Sequence, residues 1–455
     1  MSKTIRIASG QGFWGDLPEA PVNQVKQGAI DYLMMDYLAE VTMSIMQKQK
    51  LKNPQAGYAR DFVEVIRQIL PEITNNKVKV VSNAGGVNPH ACKDAILQAA
   101  EKEGYSGFKV AVVDGDDILE QIPELIQNGH ELKNMDTGRP LKDVDDDLLS
   151  ANVYFGAGPV VKALEEGADI IITGRVTDTG LCLGPMIYEF GWSMDDHDKM
   201  AAGTVAGHIL ECGAQSSGGN YTDWRDIDSF ADIGFPIVEA EPDGSFVVTK
   251  HEGTGGIVNL KSVKEQLLYE IGDPTDYITP DCVADFTSIQ LQVDGSDRVR
   301  VSGIKGTEPT EFYKVSASYS YGYKISATLV YSWPDAMDKA KAAAEILKAR
   351  ADKLGLKLDD YRVEYVGYNG CSEQPADEVE NVEEINEIQL RVSAASSDKD
   401  DLNRLGREVA PLILTGPGSV TGFAGGRPKA SDVIAYWPAL IRKEACKPRF
   451  EVFQA

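Results

Sequence analysis

Histidine is scarce in this chain, with five in 455 residues, and cysteine is nearly as rare at six. The cysteines (Cys92, Cys182, Cys212, Cys282, Cys371 and Cys446) are scattered, and none forms a C-x-x-C pair. That excludes a zinc ribbon and a thioredoxin-type dithiol, offers no disulfide framework, and fits a reducing compartment. Long hydrophobic runs are missing too; no stretch reaches the roughly 20 apolar residues that a bilayer crossing needs. The opening MSKTIRIASG has a basic residue but no apolar core and no cleavage site, so no secretion signal is read and a cytoplasmic location is expected. Positive charge is in the minority. Lys plus Arg number 45 against 70 Asp plus Glu, a net charge of −25. Such a chain repels nucleic acid and anionic membranes unless a local basic patch overrides the field, and the basic residues here are dispersed. Neither is expected as a partner, and an anionic substrate would need its own Arg or Lys. There is no repeat of fixed period and no low-complexity segment.

What is present is ordinary globular material, 43% hydrophobic and 25% charged, long enough for roughly two to four domains. The first part alternates strand-like and helix-like segments. TIRIAS, KVKVVSNAGG, FKVAVVDGDD and ADIIITGRVTDTG read as strands that run into polar turns. Between them, ARDFVEVIRQILPEITNN carries apolar residues at a helical period. NPHACKDAILQAAEKEG has Asn88 as cap, Pro89 at the first helical position and Gly104 just past the end. Strands with continuous β-branched runs, separated by helices, predict a mostly parallel sheet with helices on both faces. In such a sheet the site lies beyond the carboxyl ends of the strands. From about Asp285 the pattern changes to antiparallel strands, and from ISATLVY onward the order reads βαββαβ, a ferredoxin-like α+β unit. The expected division is therefore residues 1–285, an α/β domain with the active-site cleft, and 286–455, an antiparallel, ferredoxin-like domain.

Gly10, Gly12 and Gly15 spell G-x-G-x-x-G directly after the first strand. A dinucleotide fingerprint also needs a helix opening on that turn and an acidic residue about 20 positions on. Asp36 stands at such a distance, but Gly15 is followed by DLPEAPVNQV, where Pro18 and Pro21 disfavour a helix. A turn that lets Phe13 and Trp14 fold over the strand ends is the preferred reading, and no NAD or FAD is expected.

The densest chemistry lies in GTVAGHILECGAQSSGGNYTDW, residues 203–224. On one helix, Thr204, His208, Glu211 and Gln215 form a polar stripe. His208 is the candidate general base or acid and Glu211 the carboxylate that orients it. The amides of Gly218 and Gly219 are candidates to receive an anion or a carbonyl oxygen. The plainer alternative is a tightly packed helix with His208 hydrogen-bonded and idle. Arg175 sits at a strand end, suited to clamp a carboxylate, with Asp178 three residues on; an internal Arg175–Asp178 pair is the alternative. Asn83, Gly85 and Gly86 lead into the helix start at Asn88, either an anion site or an ordinary cap. Lys250, in TKHEGTGG, could reach an acyl or phosphate group, though the stretch lacks the ending of a P-loop. Asp36 and Asp178 complete the catalytic candidates. His208 and Glu211 could share an ion with Asp36 or Asp178, but the spacing is common and no metal is expected. Cys212 as a nucleophile competes with its plainer reading as core.

DYLMMDYLAE, SNAGGVNP, GADIIITGRVTDTGLCLGPM, GHILECGAQSSGGNYTDW, GFPIVEAEPDGSFVVTKHEGTGG and QLLYEIGDPTDYITPD together resemble the acyclic terpene utilization AtuA family, also called the DUF1446 family, from about Ile5 to the C-terminal region. The resemblance implies a place in the breakdown of branched or isoprenoid carboxylates through acyl-CoA intermediates, and carries no assigned catalytic residues. The leading expectation is a lyase, either a hydratase/dehydratase or a carbon–carbon lyase, acting on a carboxylate or acyl-CoA. It would require no cofactor; a coenzyme A thioester enters as substrate if at all. A homo-oligomer is expected, and a small partner subunit is compatible with it. The rival class is a non-catalytic acyl-binding subunit or assembly scaffold. The discriminating feature is the set of polar side chains His208, Glu211, Arg175 and Asp178 around glycine turns, which a scaffold does not need.

Overall fold

The computed structural model describes residues 3–371, 381–422 and 426–455. Two compact units emerge, one of residues 1–318 with 436–455 and one of residues 319–435. In the first, strands β1 (Ile5–Gln11), β2 (Tyr32–Met35), β3 (Lys79–Ser82), β4 (Lys109–Asp114), β5 (Leu148–Val153) and β6 (Ile170–Thr173) alternate with helices, and β7 (Ile237–Ala240) and β8 (Phe246–Thr249) follow as a pair. The helices are α1 (Ala20–Lys26), α2 (Glu40–Lys52), α3 (Arg60–Asn75), α4 (Pro89–Glu103), α5 (Ile122–Gln127), α6 (Gly158–Glu165), α7 (Gly180–Phe190), α8 (His197–Leu210) and α9 (Leu260–Leu268). Next come β9 (Tyr277–Ile278), β10 (Val283–Asp285), β11 (Gln290–Gly295), β12 (Arg298–Ser302), β13 (Lys305–Thr307) and the long β14 (Phe312–Ser332). The chain continues through α10 (Ala336–Lys353), β15 (Asp360–Val366), β16 (Glu387–Ser396), α11 (Lys399–Val409), α12 (Leu412–Thr415), β17 (Val420–Thr421), β18 (Ser431–Arg442) and β19 (Arg449–Gln454).

The large sheet has the order β11-β12-β8-β7-β1-β2-β3-β6-β4-β19. Its central five strands, β1-β2-β3-β6-β4, are parallel. The flanking pairings, β1–β7, β7–β8, β8–β12, β12–β11 and β4–β19, are antiparallel. The sheet is therefore mixed rather than mostly parallel. The reason is local: β7 and β8 are joined by Glu241–Ser245 (EPDGS), a tight turn closed by Gly244 N–H to Glu241 O at 3.0 Å, and so short a link can only make a hairpin. Strands β11 and β12 extend this edge, and β19 pairs with β4, so residues 286–318 and 436–455 lie in the first unit. The boundary expected at 285/286 falls instead at 318/319, and the chain returns at 436.

Strand residues alternate between two covered faces. Leu33, Val80 and Ile170 join a core with Phe62 and Ile66 of α3 and Ile96 of α4. On the other side, the hydroxyl of Tyr32 donates to Glu189 in α7 at 2.5 Å. The chain steps β1, β2, β3 in one direction, jumps to β4, then returns to insert β6 between β3 and β4. Helix α4 follows β3 on one face and α7 follows β6 on the other. The carboxyl ends of β3 and β6 thus flank a topological switch point, where loops part and leave a crevice.

In the second unit β16 pairs antiparallel with both β15 and β14, and β17 and β18 also pair with β14. Met337, Ala340 and Leu347 of α10 pack with Leu329 of β14 and Leu390 of β16, and Leu402 and Leu405 of α11 pack with Ile325 and Ala394. No helix among the described residues is long and apolar enough to cross a membrane.

Candidate functional site

At the switch point the ends of β2, β3, β4 and β6 converge in one hydrogen-bonded cluster. Asp36, just past β2, accepts from Asn83 Nδ2 at 2.6 Å and from Leu38 N–H at 3.1 Å. Asn83, just past β3, returns its Oδ1 to Tyr37 N–H at 2.7 Å. Arg175, past β6, is 2% exposed. It donates from one terminal nitrogen to Leu38 O at 3.0 Å and to Asp178 Oδ1 at 2.5 Å, while the other lies 3.3 Å from Asp178 Oδ2. Its guanidinium also lies over the Tyr154 ring at 4.1 Å. Asp178 is the solvent-facing member, with its side chain 30% exposed.

The surroundings act strongly on Asp36. Burial first, then the neighbouring Asp178 charge, push Asp36 well above the usual carboxylate range; Arg175 and the Asn83 hydrogen bond offset this only in part, and Glu211 adds to the rise. Glu211, just past the end of α8, is thus within electrostatic reach of Asp36. Asp178 has the Arg175 guanidinium against it. One buried acid and one ion-paired carboxylate share a single arginine.

His208 does not take the role of general base. Nδ1 meets Glu211 Oε1 at 2.7 Å and Nε2 meets the Gln266 carbonyl in α9 at 2.8 Å. Both partners are acceptors, so the ring is held with both nitrogens protonated. Burial alone lowers its pKa, but the Glu211 charge and the two hydrogen bonds outweigh burial and raise it. The ring also packs between Tyr277 and Phe286, at centroid distances of 5.7 and 5.4 Å. With no lone pair to offer, His208 fastens α8 to α9 and positions Glu211, the reverse of the expected relation. The same contacts leave neither nitrogen to ligate an ion.

Other expectations change for reasons of local geometry. Helix α8 ends at Leu210, because Gly213 has φ +56° and the chain turns into a short 3-10 segment. Gln215 therefore leaves the polar stripe. The Gly218 and Gly219 amides donate to Gln215 O at 3.4 Å and Ala214 O at 2.8 Å, so they are spent and form no oxyanion hole. Gly85 and Gly86 are sites of close packing: a Cβ on Gly85 would lie 2.6 Å from Thr173 O, and one on Gly86 2.2 Å from Met46 Sδ. Asn88 stands at the cap position, but its amide donates to Pro54 O and Ala56 O, each at 2.8 Å, rather than capping α4. Lys250 is 3.3 Å from Asp297 and donates to Thr254 O at 2.8 Å, and none of its contacts is with the Asp36–Arg175 group. Burial pushes the Cys212 thiol up, which makes it a poor nucleophile. The opening glycines have a structural purpose. A Cβ on Gly12 would sit 2.5 Å from Gly213 N, and one on Gly10 2.9 Å from Leu33 Cδ1. The loop after β1 is pressed against the 212–213 backbone and the β2 side chains.

Two residues were not singled out from the sequence. Asp116, after β4, accepts Arg175 N–H at 2.8 Å and Asn152 Nδ2 at 2.9 Å through one oxygen. Burial pushes its pKa up to about 7, against the pull of those donors. Tyr154 is the other. The only signal for Asp116 was its place in a strand end, VDGDD; Tyr154 had none. Asp116 and Gly86 also line a cleft of about 650 Å³ at the ends of β3 and β4, with Lys50, His90, Asp117 and Arg449 among its walls. The Arg175 turn therefore has the carboxylate cluster beside it and this cleft against its Asp116 support.

A family model described as acyclic terpene utilisation family protein AtuA matches residues 5–452. The chain belongs to the AtuA family. The match includes every residue of the cluster and suggests a role in acyclic terpene utilisation. No curated protein and no solved structure matches the chain. In this AtuA-family chain the segments GADIIITGRVTDTG and SNAGGVNP supply Arg175, Asp178 and Asn83, while DYLMMDYLAE supplies Asp36.

Proposed function

We propose that this AtuA-family protein is a cytoplasmic enzyme that adds or removes water on a branched or isoprenoid carboxylate or its coenzyme A thioester. The observation that carries the reading is the Asp36–Arg175–Asp178 cluster. Water addition across a conjugated double bond needs one acid and one base on the same substrate. Two carboxyls in unlike surroundings, one buried and raised, the other ion-paired and facing solvent, supply that pair. Asp36, buried and raised well above the usual carboxylate range, is the proton donor. Asp178, ion-paired and facing solvent, activates the water. Arg175 holds Asp178 in place, and Glu211, fixed by His208, adds negative charge that raises Asp36 further. Carbon–carbon cleavage uses the same acid and base and is the variant within this reading. No step calls for a metal or nucleotide, and the backbone pressed on Gly12 occupies the space where a dinucleotide fingerprint needs its second glycine.

The second reading is a non-catalytic acyl-binding subunit in a homo-oligomer or with a small partner. The β15-β16-β14 order with β18 on β14 favours it, since it is the order of a ferredoxin-like unit, often used in assembly. The test is a thermal-shift screen of branched 2-enoic acids and their coenzyme A thioesters, followed by loss of enoyl absorbance with each binder. Asp36→Asn keeps an acceptor for Asn83 and Leu38, so it should bind as the parent does and turn over about 10²–10⁴-fold more slowly. Undiminished turnover by Asp36→Asn would remove Asp36 from the chemistry. Binding without turnover in the parent would favour the subunit reading.

A further inference from the structure

A second cleft, of about 550 Å³, lies at the start of α6. Its walls include Pro159, Met194, Pro280, Pro309, Pro448 and Phe450, four of them proline rings that present a rigid apolar surface. The ionisable walls are Lys162, Asp195, His197, Asp281, Glu308 and Lys443, and of the three acids only Asp281 is buried. Asp281 is 5% exposed. Both of its oxygens face a single donor, Ala157 N–H, at 3.0 Å each. A carboxylate has about four acceptor sites, so most of its hydrogen-bonding capacity is unused. Gly156 makes this approach feasible, because a Cβ there would lie 2.3 Å from Asp281 Oδ1. Lys443 donates to Pro280 O at 2.7 Å, which leaves two ammonium protons. Burial pushes Asp281 up to about 6 and lowers Lys443, so both are poorly solvated where they stand. A buried carboxyl that only caps one amide would not need a lysine and an open apolar cleft beside it.

We propose that this cleft is a second ligand site, distinct from the Asp36–Arg175 cluster, and that it takes a small neutral molecule with an apolar body and a hydroxyl or primary amide at one end. The chemistry follows from the pair. Asp281 needs a donor and Lys443 an acceptor, and a hydroxyl or amide offers both within one small group. A free carboxylate would leave Asp281 without a donor and repel it, and an amine would leave Lys443 without an acceptor and repel it. The apolar body meets the proline, methionine and phenylalanine walls.

The test is a titration of the whole chain, labelled at the methionine methyls, with 1-octanol, octanamide and octanoate, following the ε-methyl resonance of Met194. The Met194→Leu variant identifies that resonance. The alcohol and the amide should shift it saturably, and octanoate should bind at least about tenfold more weakly. Lys443→Met keeps the stem and removes the ammonium; it should weaken alcohol and amide binding about tenfold or more. Gly158→Leu is the second variant. A Cβ at Gly158 meets only Met194 Cε, at 4.0 Å, so the fold tolerates it while the side chain fills the cleft. Binding should be lost there. A Met194 resonance that no probe moves, or one that moves equally in Gly158→Leu, would overturn the proposal. So would octanoate binding as tightly as the alcohol. Since the readout is binding at Met194 and not turnover, this result stands apart from the fate of the hydration reading.

Discussion

Replacing His208 by Leu should damage the fold rather than the chemistry alone. The substitution keeps an apolar side chain against Tyr277 and Phe286 but deletes two hydrogen bonds, to Glu211 at 2.7 Å and to the Gln266 carbonyl at 2.8 Å. Glu211, only 8% exposed, then loses its cation. Breaking one partner out of a buried pair costs about 3–5 kcal/mol. The first unit has roughly 340 residues, so at about 2.1 cal/mol/K per residue its unfolding entropy is about 0.7 kcal/mol/K. The melting midpoint should therefore fall by about 4–7 °C. Differential scanning calorimetry at pH 6 measures it. The pH dependence gives an independent arm. The folded-state pKa of His208 is raised above its free value of about 6.5. Its contribution is fully present below pH 6.5 and is lost as pH rises through the raised value. The gap between parent and His208→Leu should narrow above that point. A midpoint within about 1 °C of the parent at pH 6, or a gap that widens with pH, would refute the structural role assigned to this histidine.

Gly12→Ala should cost about 1–3 kcal/mol, since its Cβ meets the Gly213 backbone at 2.5 Å and backbone cannot swing aside; an unchanged urea midpoint would contradict the close approach. Asp116→Asn should flatten the stability profile between about pH 4 and 7. The folded-state pKa of Asp116 is about 7, so between about pH 4 and 7 the unfolded chain ionises this carboxyl while the folded one holds its proton, and stability falls as pH rises, by up to about 1.4 kcal/mol per pH unit. An unchanged slope in urea melts across this range would count against its burial. Iodoacetamide should label exposed Cys371 well before Cys212, whose thiol is pushed up by burial; mass spectrometry showing the reverse order would restore Cys212 as a reactive residue.

Much of the candidate site was legible in the residues themselves. Asp36, Asn83 and Arg175 each follow a β-branched or apolar run, and in parallel strands such positions emerge on one edge, where they do meet. The His208–Glu211 contact was legible from their spacing of three on a helix. What they do there was not. Gln266, which takes the second nitrogen of His208, lies 58 residues away, and no local pattern shows that an acceptor waits there. The Gly218 and Gly219 amides looked available because glycine turns present amides; only the fold of 213–219 shows them already bonded. Asp116 was passed over because it resembled the other acids of a strand-end loop until β6 placed Arg175 N–H on it.

The sequence by itself determined the elements of the first unit's centre, the helix spacings and the edge on which the polar residues gather, because periodicity and β-branching act over a few residues. It also determined the glycines at close approaches, though not what they approach. The tertiary structure alone decided which polar atoms remain available for chemistry. It set Arg175 on Asp178 and Leu38, spent both nitrogens of His208, locked Lys250 to Asp297, and buried Asp36 so that its carboxyl is pushed well above the usual range. It likewise drew strands 290–302 onto the β8 edge and so moved the boundary to 318/319. The physical reason is the same throughout: hydrogen-bond satisfaction and desolvation depend on whatever group the fold brings within about 3 Å, however far away it lies in the chain.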